Sequence, residues 1–146
     1  MEKSAQTGMQ FKSIELLDTA LKAPQNALSK SLVFQYDISL QHQLRVEENL
    51  LIVICSIHIN AASLKDDLGN IRASCIFKVD KLSDFYNETE NQYDLPEQLV
   101  MTANSITIST MRGLMFASFR GTFLHGAVLP LIDPKAIKAD ASNKEK

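Results

Sequence analysis

The sequence from Met111 to Pro134 is MRGLMFASFRGTFLHGAVLPLIDP. Its first half combines Met and Phe at helical spacing and leads into a Gly-containing turn around Gly121. Its second half is an apolar segment punctuated by Pro130 and Pro134. Flexible thioethers and flat rings suit the recognition of varied apolar partners, and the stretch has little acid-base chemistry. It therefore favours binding over catalysis.

A long helix leads into this stretch from the N-terminal side. Asp94, Pro96 and Glu97 have the spacing of a helix start. Because the helix is apolar on two faces, it must contact more than its own sheet, and a second copy of the chain is the most economical partner. The two predicted stripes are Leu99, Ala103, Ile106, Thr110, Leu114 and Ala117 on one face, and Met101, Ile108, Met111, Met115 and Phe119 on the other.

Three segments upstream have strand patterns. From Phe34 to Leu40 apolar and polar residues alternate, and Leu50 to Ile59 is apolar and β-branched enough for a central strand covered on both faces. Ile71 to Val79 alternates again after a turn signal at 66–70. Short polar connections predict an antiparallel meander of these strands. Phe11 to Leu21 has a mixed pattern that fits either a short helix or a bulged strand.

Length and composition indicate one globular domain. We expect a flexible N-terminus at 1–9, a single domain at 10–134 and a flexible tail at 135–146. A net charge of −2 argues against nucleic-acid binding, and no apolar run is long enough for membrane insertion. The N-terminal residues lack the apolar core of a secretory signal, so we expect a cytoplasmic protein with Cys55 and Cys75 buried and reduced.

The residues that could suggest an enzyme do not form a catalytic or metal-binding motif. His42, His58 and His125 have no spacing associated with a nucleophile, a metal or a phosphate. Asp66 to Gly69 is too short for a calcium loop and lacks the closing Glu. We expect no enzymatic activity, no cofactor and no metal. Arg112 and Arg120 are interpreted as residues that pack their stems and pair with a carboxylate or a helix end.

Apolar residues of the helix, the turn and the preceding loop are the candidates for a polypeptide-binding surface. Each of them can also pack against the sheet or a sister subunit, and that alternative stays open. Tyr93 shares the polar loop with two of these aromatic residues. The candidates are Phe85, Tyr86, Met111, Met115, Phe116, Phe119, Phe123 and Leu124.

On these residues the chain resembles the SecB family of export chaperones, from about Phe11 to Pro134. The most specific match is Arg120-Gly121-Thr122-Phe123 at the end of a long helix, followed by Pro130 between apolar residues. Thr110-Met111-Arg112 and Ala23-Pro24 are weaker matches. The resemblance implies an α+β fold in which one long helix packs on a four-stranded antiparallel sheet, with Phe11 to Leu21 as the first strand. It also implies a dimer of dimers that holds unfolded polypeptides in apolar grooves without ATP.

The chain departs from the family where docking on the translocase ATPase is expected. The matching positions on the outer sheet face are Asp18, Lys22, Ser74 and Ile76, and Asp18 alone keeps the acidic character. The Pro that usually follows the Arg-Gly-Thr-Phe motif is replaced by Leu124, and the family's second helix is hard to find after Lys135. We therefore expect an ATP-independent chaperone that binds unfolded or non-native clients, with preproteins for export among them. The alternative is a dedicated chaperone of one specific protein, such as an antitoxin, with no role in general export.

Overall fold

The fold is a sheet of long antiparallel strands with one long helix packed on it. The computed structural model describes residues 8–23, 33–61, 67–133 and the short strand at 139–140. The elements in chain order are β1 (Met9–Leu21), β2 (Phe34–Arg45), β3 (Leu50–Ala61), β4 (Asp67–Val79), β5 (Tyr86–Asn87), β6 (Gln92–Tyr93), α1 (Glu97–Ser118) and β7 (Ala139–Asp140). The main sheet has the order β1-β4-β3-β2-β7, and β1 to β4 pair antiparallel. This confirms the predicted α+β class, the meander of β2, β3 and β4, and the first strand.

Two short pairings were not predicted. β5 and β6 form a separate two-stranded ribbon inside the polar loop before the helix, and Tyr86 is opposite Tyr93 in it. β7 adds a parallel strand beside β2, in the tail that the sequence analysis expects to be flexible. The tail outside this strand, Pro134 and Pro24 lie outside the described residues.

The turn predicted at 66–70 is not formed at 67–70, the residues of it that the structure describes. Asp66 lies outside the described residues, but Asp67 to Asn70 already belong to β4. Gly69 is paired with Leu21 of β1 on one side and with Ile59 of β3 on the other. Ladder hydrogen bonds on both sides replace the turn that the local residue types favour.

The core lies between α1 and one face of the sheet. The helix contacts β3 and β4, and the residues of those strands that belong to the core alternate along the chain. In β3 they include Leu51, Val53 and Cys55, each with no exposed surface. Leu50, Ile52 and Ile54 point to the opposite face and are 7–9% exposed. β3 is therefore central and nearly buried on both faces, as its sequence predicts.

The helix begins at Glu97 and uses the carbonyl of Pro96 as its first acceptor. The amides of Leu99 and Val100 both donate to that carbonyl, and no side chain caps the helix. Asp94 accepts instead from the side chains of Asn87 and Gln92, so it does not act as the helix cap that its spacing to Glu97 suggested. The buried face draws on both predicted stripes, with Asn104 and Thr107 added. It consists of Leu99, Ala103, Asn104, Thr107, Ile108, Met111 and Met115.

The segment after the helix returns to the core. Leu124, Ala127 and Leu129 are at most 2% exposed and belong to the same core cluster. Arg112 holds this return segment: its Nε donates to the carbonyl of Leu129 at 2.9 Å and its Nη2 to that of Pro130 at 2.8 Å. The predicted role of Arg112 as a pairing residue is thus correct in kind, but its acceptors are loop carbonyls instead of a carboxylate or a helix end.

Candidate functional site

Half of the predicted polypeptide-binding residues lie in the core. Met111, Met115, Phe119 and Leu124 are between 0 and 2% exposed within a single chain. They pack with the sheet side chains in one cluster and present no surface to a ligand in this conformation. These side chains therefore fill the space between the helix and the sheet. Packing against the sheet is the alternative to client binding that the sequence left open.

The other predicted residues reach the surface in two places. Phe116 is on the helix and 57% exposed, and Phe123 in the return segment is half-buried. Tyr86 is 39% exposed in β5, where its ring lies 5.0 Å from that of Tyr93 and its hydroxyl donates to Asn91. Phe85 is half-buried beside it. These four remain candidates for apolar contact with a partner.

An exposed apolar surface that the sequence did not indicate lies on β1. Five large side chains of this strand are 43–48% exposed although the strand is paired along its length: Phe11, Ile14, Leu16, Leu17 and Leu21. Phe11, Ile14 and Leu16 are opposite Phe77, Cys75 and Ala73 of β4, which all belong to the core cluster on the helix side. Because α1 packs over β3 and β4, the apolar residues of β1 are left at the border of the core.

The rings at this border show how the missed surface continues the core. The ring of Phe11 stacks on that of buried Phe77, with centroids 5.1 Å apart and planes at 21°. The pairing of β1 with β4 shifts between Phe11 and Ser13 and again between Leu16 and Asp18. Each bulge inserts one residue and breaks the period of two. This is why strand alternation was hard to recognise in the sequence from Phe11 to Leu21.

A second apolar surface borders β2. Val33 just before the strand is 63% exposed, and Val128 and Leu131 in the return segment are 55% and 95% exposed. The hydroxyl of Tyr36 is hydrogen-bonded to the backbone of Val128, and burial raises the pKa of this tyrosine. The return segment is therefore fixed beside the start of β2, and exposed aliphatic side chains lie on both.

The predicted docking positions lie along β1 and β4. Ser74 and Ile76 are opposite Glu15 and Ser13 of β1, in the half of the alternation that faces away from the helix, and Asp18 is opposite Arg72 there. Ser74 is only 4% exposed, so it offers a partner little contact. Lys22 is exposed just beyond β1, and its amide donates to the carbonyl of Leu68 at 2.9 Å.

The histidines have structural partners or lie at the surface. His42 Nε2 is 2.7 Å from Asn104 Oδ1 on the helix, and His58 Nδ1 is 3.2 Å from Asp67 Oδ2. His125 is exposed. Within residues 8–23, 33–61 and 67–133, no three His, Cys, Asp or Glu side chains come together in a way that could hold a metal ion. In the same ranges no helix has the length and apolarity needed to cross a membrane.

The fold is similar to that of a protein of known structure. The SecB-like chaperone Rv1957 of Mycobacterium tuberculosis, solved in complex with a ChAD peptide from the antitoxin Rv1956 HigA1, matches with a TM-score of 0.61. The match covers 85% of this chain and 89% of that chain at 15% sequence identity. No protein-family model and no curated protein sequence matches the chain. The likeness is one of architecture, and it shows that this chain has the α+β fold of a SecB-like chaperone.

Proposed function

We propose that the protein is an ATP-independent chaperone that binds unfolded or non-native polypeptides and keeps them from aggregating. Large apolar side chains are left exposed at both borders of a SecB-like core, on β1 and beside β2, and those beside β2 carry the proposal. Contiguous apolar surface of this kind marks a site of protein contact. The proposal includes a cytoplasmic location and assigns the chain no catalytic step.

The two borders have different partners in this proposal. β1 is the longer edge, with 13 residues, and among the described strands it pairs with β4 alone. We assign β1 to a second copy of the chain because one antiparallel register of the strand with itself pairs some of its apolar residues with each other. When Glu15 faces its own copy in an antiparallel pair, Ile14 faces Leu16 of the partner subunit and Met9 faces Leu21 of the partner subunit. On the helix side these two kinds of pair are apolar, and Phe11 faces Thr19 of the partner subunit.

Charge supports the same register. Lys12 then faces Asp18 of the partner subunit, and the symmetry repeats this ion pair, against one repulsive pair at the central Glu15. Opposite charges across a strand pair are favourable and like charges unfavourable. The exposed apolar residues of β1 would each gain roughly 1 kcal/mol from further burial. A dimer of this kind is the first step towards the dimer of dimers that we propose for the assembly.

Clients are assigned to the surfaces that such a dimer leaves free. Phe116, Tyr86, Phe85 and Phe123 supply aromatic contacts, and Val128 and Leu131 supply aliphatic ones. Binding the unfolded state and not the native one lowers the free concentration of aggregating chains by mass action. Rings and aliphatic groups on helix and loop suit varied client side chains better than a closed pocket does.

The test is the aggregation of a chemically denatured client protein on dilution, followed by light scattering. A stoichiometric amount of the chaperone should suppress most of the scattering. Phe116→Gln should weaken the suppression severalfold, because it removes an exposed aromatic contact without disturbing the core. Ser105→Gln, at another exposed position of α1, is the matched control and should act as the unaltered protein does. Unchanged scattering with the unaltered protein would refute the chaperone function.

A dedicated chaperone of one protein is the second candidate. Rv1957 was solved with a peptide from an antitoxin, so a similar fold can hold one defined segment. The outer face favours this candidate over general export, because Lys22, Ser74 and Ile76 lack the acidic groups expected for docking on a translocase ATPase, and Asp18 alone has one. Affinity capture from the source cells distinguishes the two: many clients support the general chaperone, and one stoichiometric partner supports the dedicated one.

A further inference from the structure

The outer edge of β2 holds part of the chain's own C-terminal segment. Ala139 and Asp140 form the parallel strand β7, with Ala139 opposite Leu40 and Asp140 opposite Gln41. A parallel partner arriving from the far end of the chain shows that this edge accepts an extended segment. The backbone groups of an edge strand are otherwise available to pair with another chain.

β7 occupies only a small part of the edge. It has two residues, whereas β2 has 12. Among the described residues, Phe34 to Ser39 have β3 as their only strand partner. A two-residue pairing makes few hydrogen bonds, and the net gain from each is comparable with the entropy lost by ordering a residue. A longer extended segment would form more ladder bonds along the same edge and would displace β7.

The apolar surface beside the same edge gives such a segment a place for its side chains. Phe34, Tyr36 and Ile38 are half-buried, with Val33 and Val128 exposed next to them. An extended peptide points every second side chain to one face. Main-chain hydrogen bonds to β2 would therefore be combined with apolar contacts at alternate positions, which is the mode of strand-addition sites.

We propose that the outer edge of β2 binds an extended, alternately apolar segment of a client, and that Ala139 and Asp140 are a built-in competitor for this edge. The inference rests on the proposed function, since it names the position and conformation of the client and the segment that regulates access. A tethered strand competes at a high effective concentration even when its own pairing is weak. Client affinity should therefore rise when β7 is prevented from forming.

The probe is a fluorescein-labelled twelve-residue peptide in which valine and tyrosine alternate with threonine and lysine. Its dissociation constant is measured by fluorescence anisotropy with the full chain and with the double variant Ala139→Pro, Asp140→Pro. Proline removes the amide donors of β7 and does not fit the strand. We expect the variant to bind the peptide three- to tenfold more tightly. The control Ser142→Pro, Asn143→Pro places the same number of prolines beyond β7 and should bind as the unaltered chain does.

Hydrogen exchange identifies the edge that is used. The amides of Ser39 to His42 should exchange faster in the Ala139→Pro, Asp140→Pro variant and become protected again when peptide is added.

A peptide with alternate backbone nitrogens methylated keeps its side chains but loses the ladder bonds, so it should lose the gain in affinity. Equal affinity for all three proteins, with no protection of β2, overturns the inference and leaves the chaperone function standing. If the peptide binds to none of them while the client protein is still held, the inference alone fails; if neither is bound, both fail.

Discussion

Gly69 is the position where a single added carbon atom would disturb the fold most directly. A Cβ there would lie 2.7 Å from Cδ1 of Leu124 and 2.8 Å from the carbonyl oxygen of Ala20. One neighbour is backbone of β1, which cannot rotate away, and the other is fully buried in the return segment. Gly69 is therefore a point of close approach between β1, β4 and the return segment.

We expect Gly69→Ala to lower the free energy of unfolding by about 1–3 kcal/mol, as overpacking does in other cores. Gly113 is the matched control, because a Cβ at this helical position meets nothing within 4 Å. Gly113→Ala should raise the free energy of unfolding by roughly 0.5–1 kcal/mol through the helix propensity of alanine. Urea titrations followed by circular dichroism measure both. A Gly69→Ala protein as stable as the unaltered one would contradict the packing described at this site.

The buried thiol of Cys55 predicts a loss of stability in alkali. Burial, with a smaller contribution from the nearby Cys75, raises the pKa of Cys55 from 9.0 to about 12. Above the pKa that the Cys55 thiol has in the unfolded chain, the unfolded chain loses the proton while the folded chain keeps it. This group therefore leaves the free energy of unfolding unchanged below pH 9 and lowers it as the pH rises towards 12. The slope from this group is about 1.4 kcal/mol per pH unit.

Cys55→Ala removes this titration, so its free energy of unfolding should be lower at pH 7 but decline less between pH 9 and 11. The comparison uses urea unfolding at a series of pH values for the two proteins. Parallel pH profiles would show that the thiol is not held in its neutral form by burial.

At the scale of one residue, the sequence predicted burial better than exposure. Cys55 and Cys75 are free and buried as expected. Met111, Met115, Phe119 and Leu124 were binding candidates but lie in the core, because an apolar helical stripe does not indicate how much of it the sheet covers. The exposed apolar residues of β1 have ordinary strand composition, and only the position of α1 over β3 and β4 leaves them uncovered.

At the scale of elements, β1 carries the clearest prediction for self-association. In the antiparallel register with Glu15 at the centre, Lys12→Asp or Asp18→Lys alone turns both attractive pairs of the dimer into repulsive ones. Exposed ion pairs contribute up to about 1 kcal/mol each, so each single variant should raise the dimer dissociation constant about tenfold. The double variant restores opposite charges and should recover most of the affinity.

Analytical ultracentrifugation at low salt measures these constants. Lys22→Asp is the control, because Lys22 faces Gly8 of the partner subunit in this register and makes no ion pair there. A double variant that associates as weakly as either single variant would exclude the register. Added salt should reduce the differences between the variants, since exposed pairs are screened.

The elements themselves were largely predictable, and their contacts were not. Alternation and β-branched composition predicted β2, β3 and β4, and length predicted α1. The two bulges interrupt the alternation of apolar and polar residues in β1. β7 pairs through its backbone, which requires no particular side-chain pattern. The start of α1 was misplaced because the Asp94 carboxylate accepts hydrogen bonds from the side chains of Asn87 and Gln92 and does not cap the helix.

At the scale of the whole molecule, the single core ends in two exposed apolar borders, one at β1 and one beside β2. The helix and the return segment cover the centre of the sheet and leave apolar residues at the outer strands, where a second copy and a client are proposed to bind. The similarity to Rv1957 agrees with the fold class predicted from the motif at Arg120 to Phe123.

As a chaperone of the proposed kind, the chain should recognise polypeptides by their lack of folded structure. The most direct measurement is binding to one protein in two states: α-lactalbumin with its disulfides intact, and the same protein reduced and carboxymethylated so that it stays unfolded. Isothermal titration calorimetry with the 146-residue chain should show binding of the unfolded form, with a negative heat-capacity change from apolar burial. It should show no binding of the native form. Equal binding of both forms, or of neither, would rule out the proposed chaperone function.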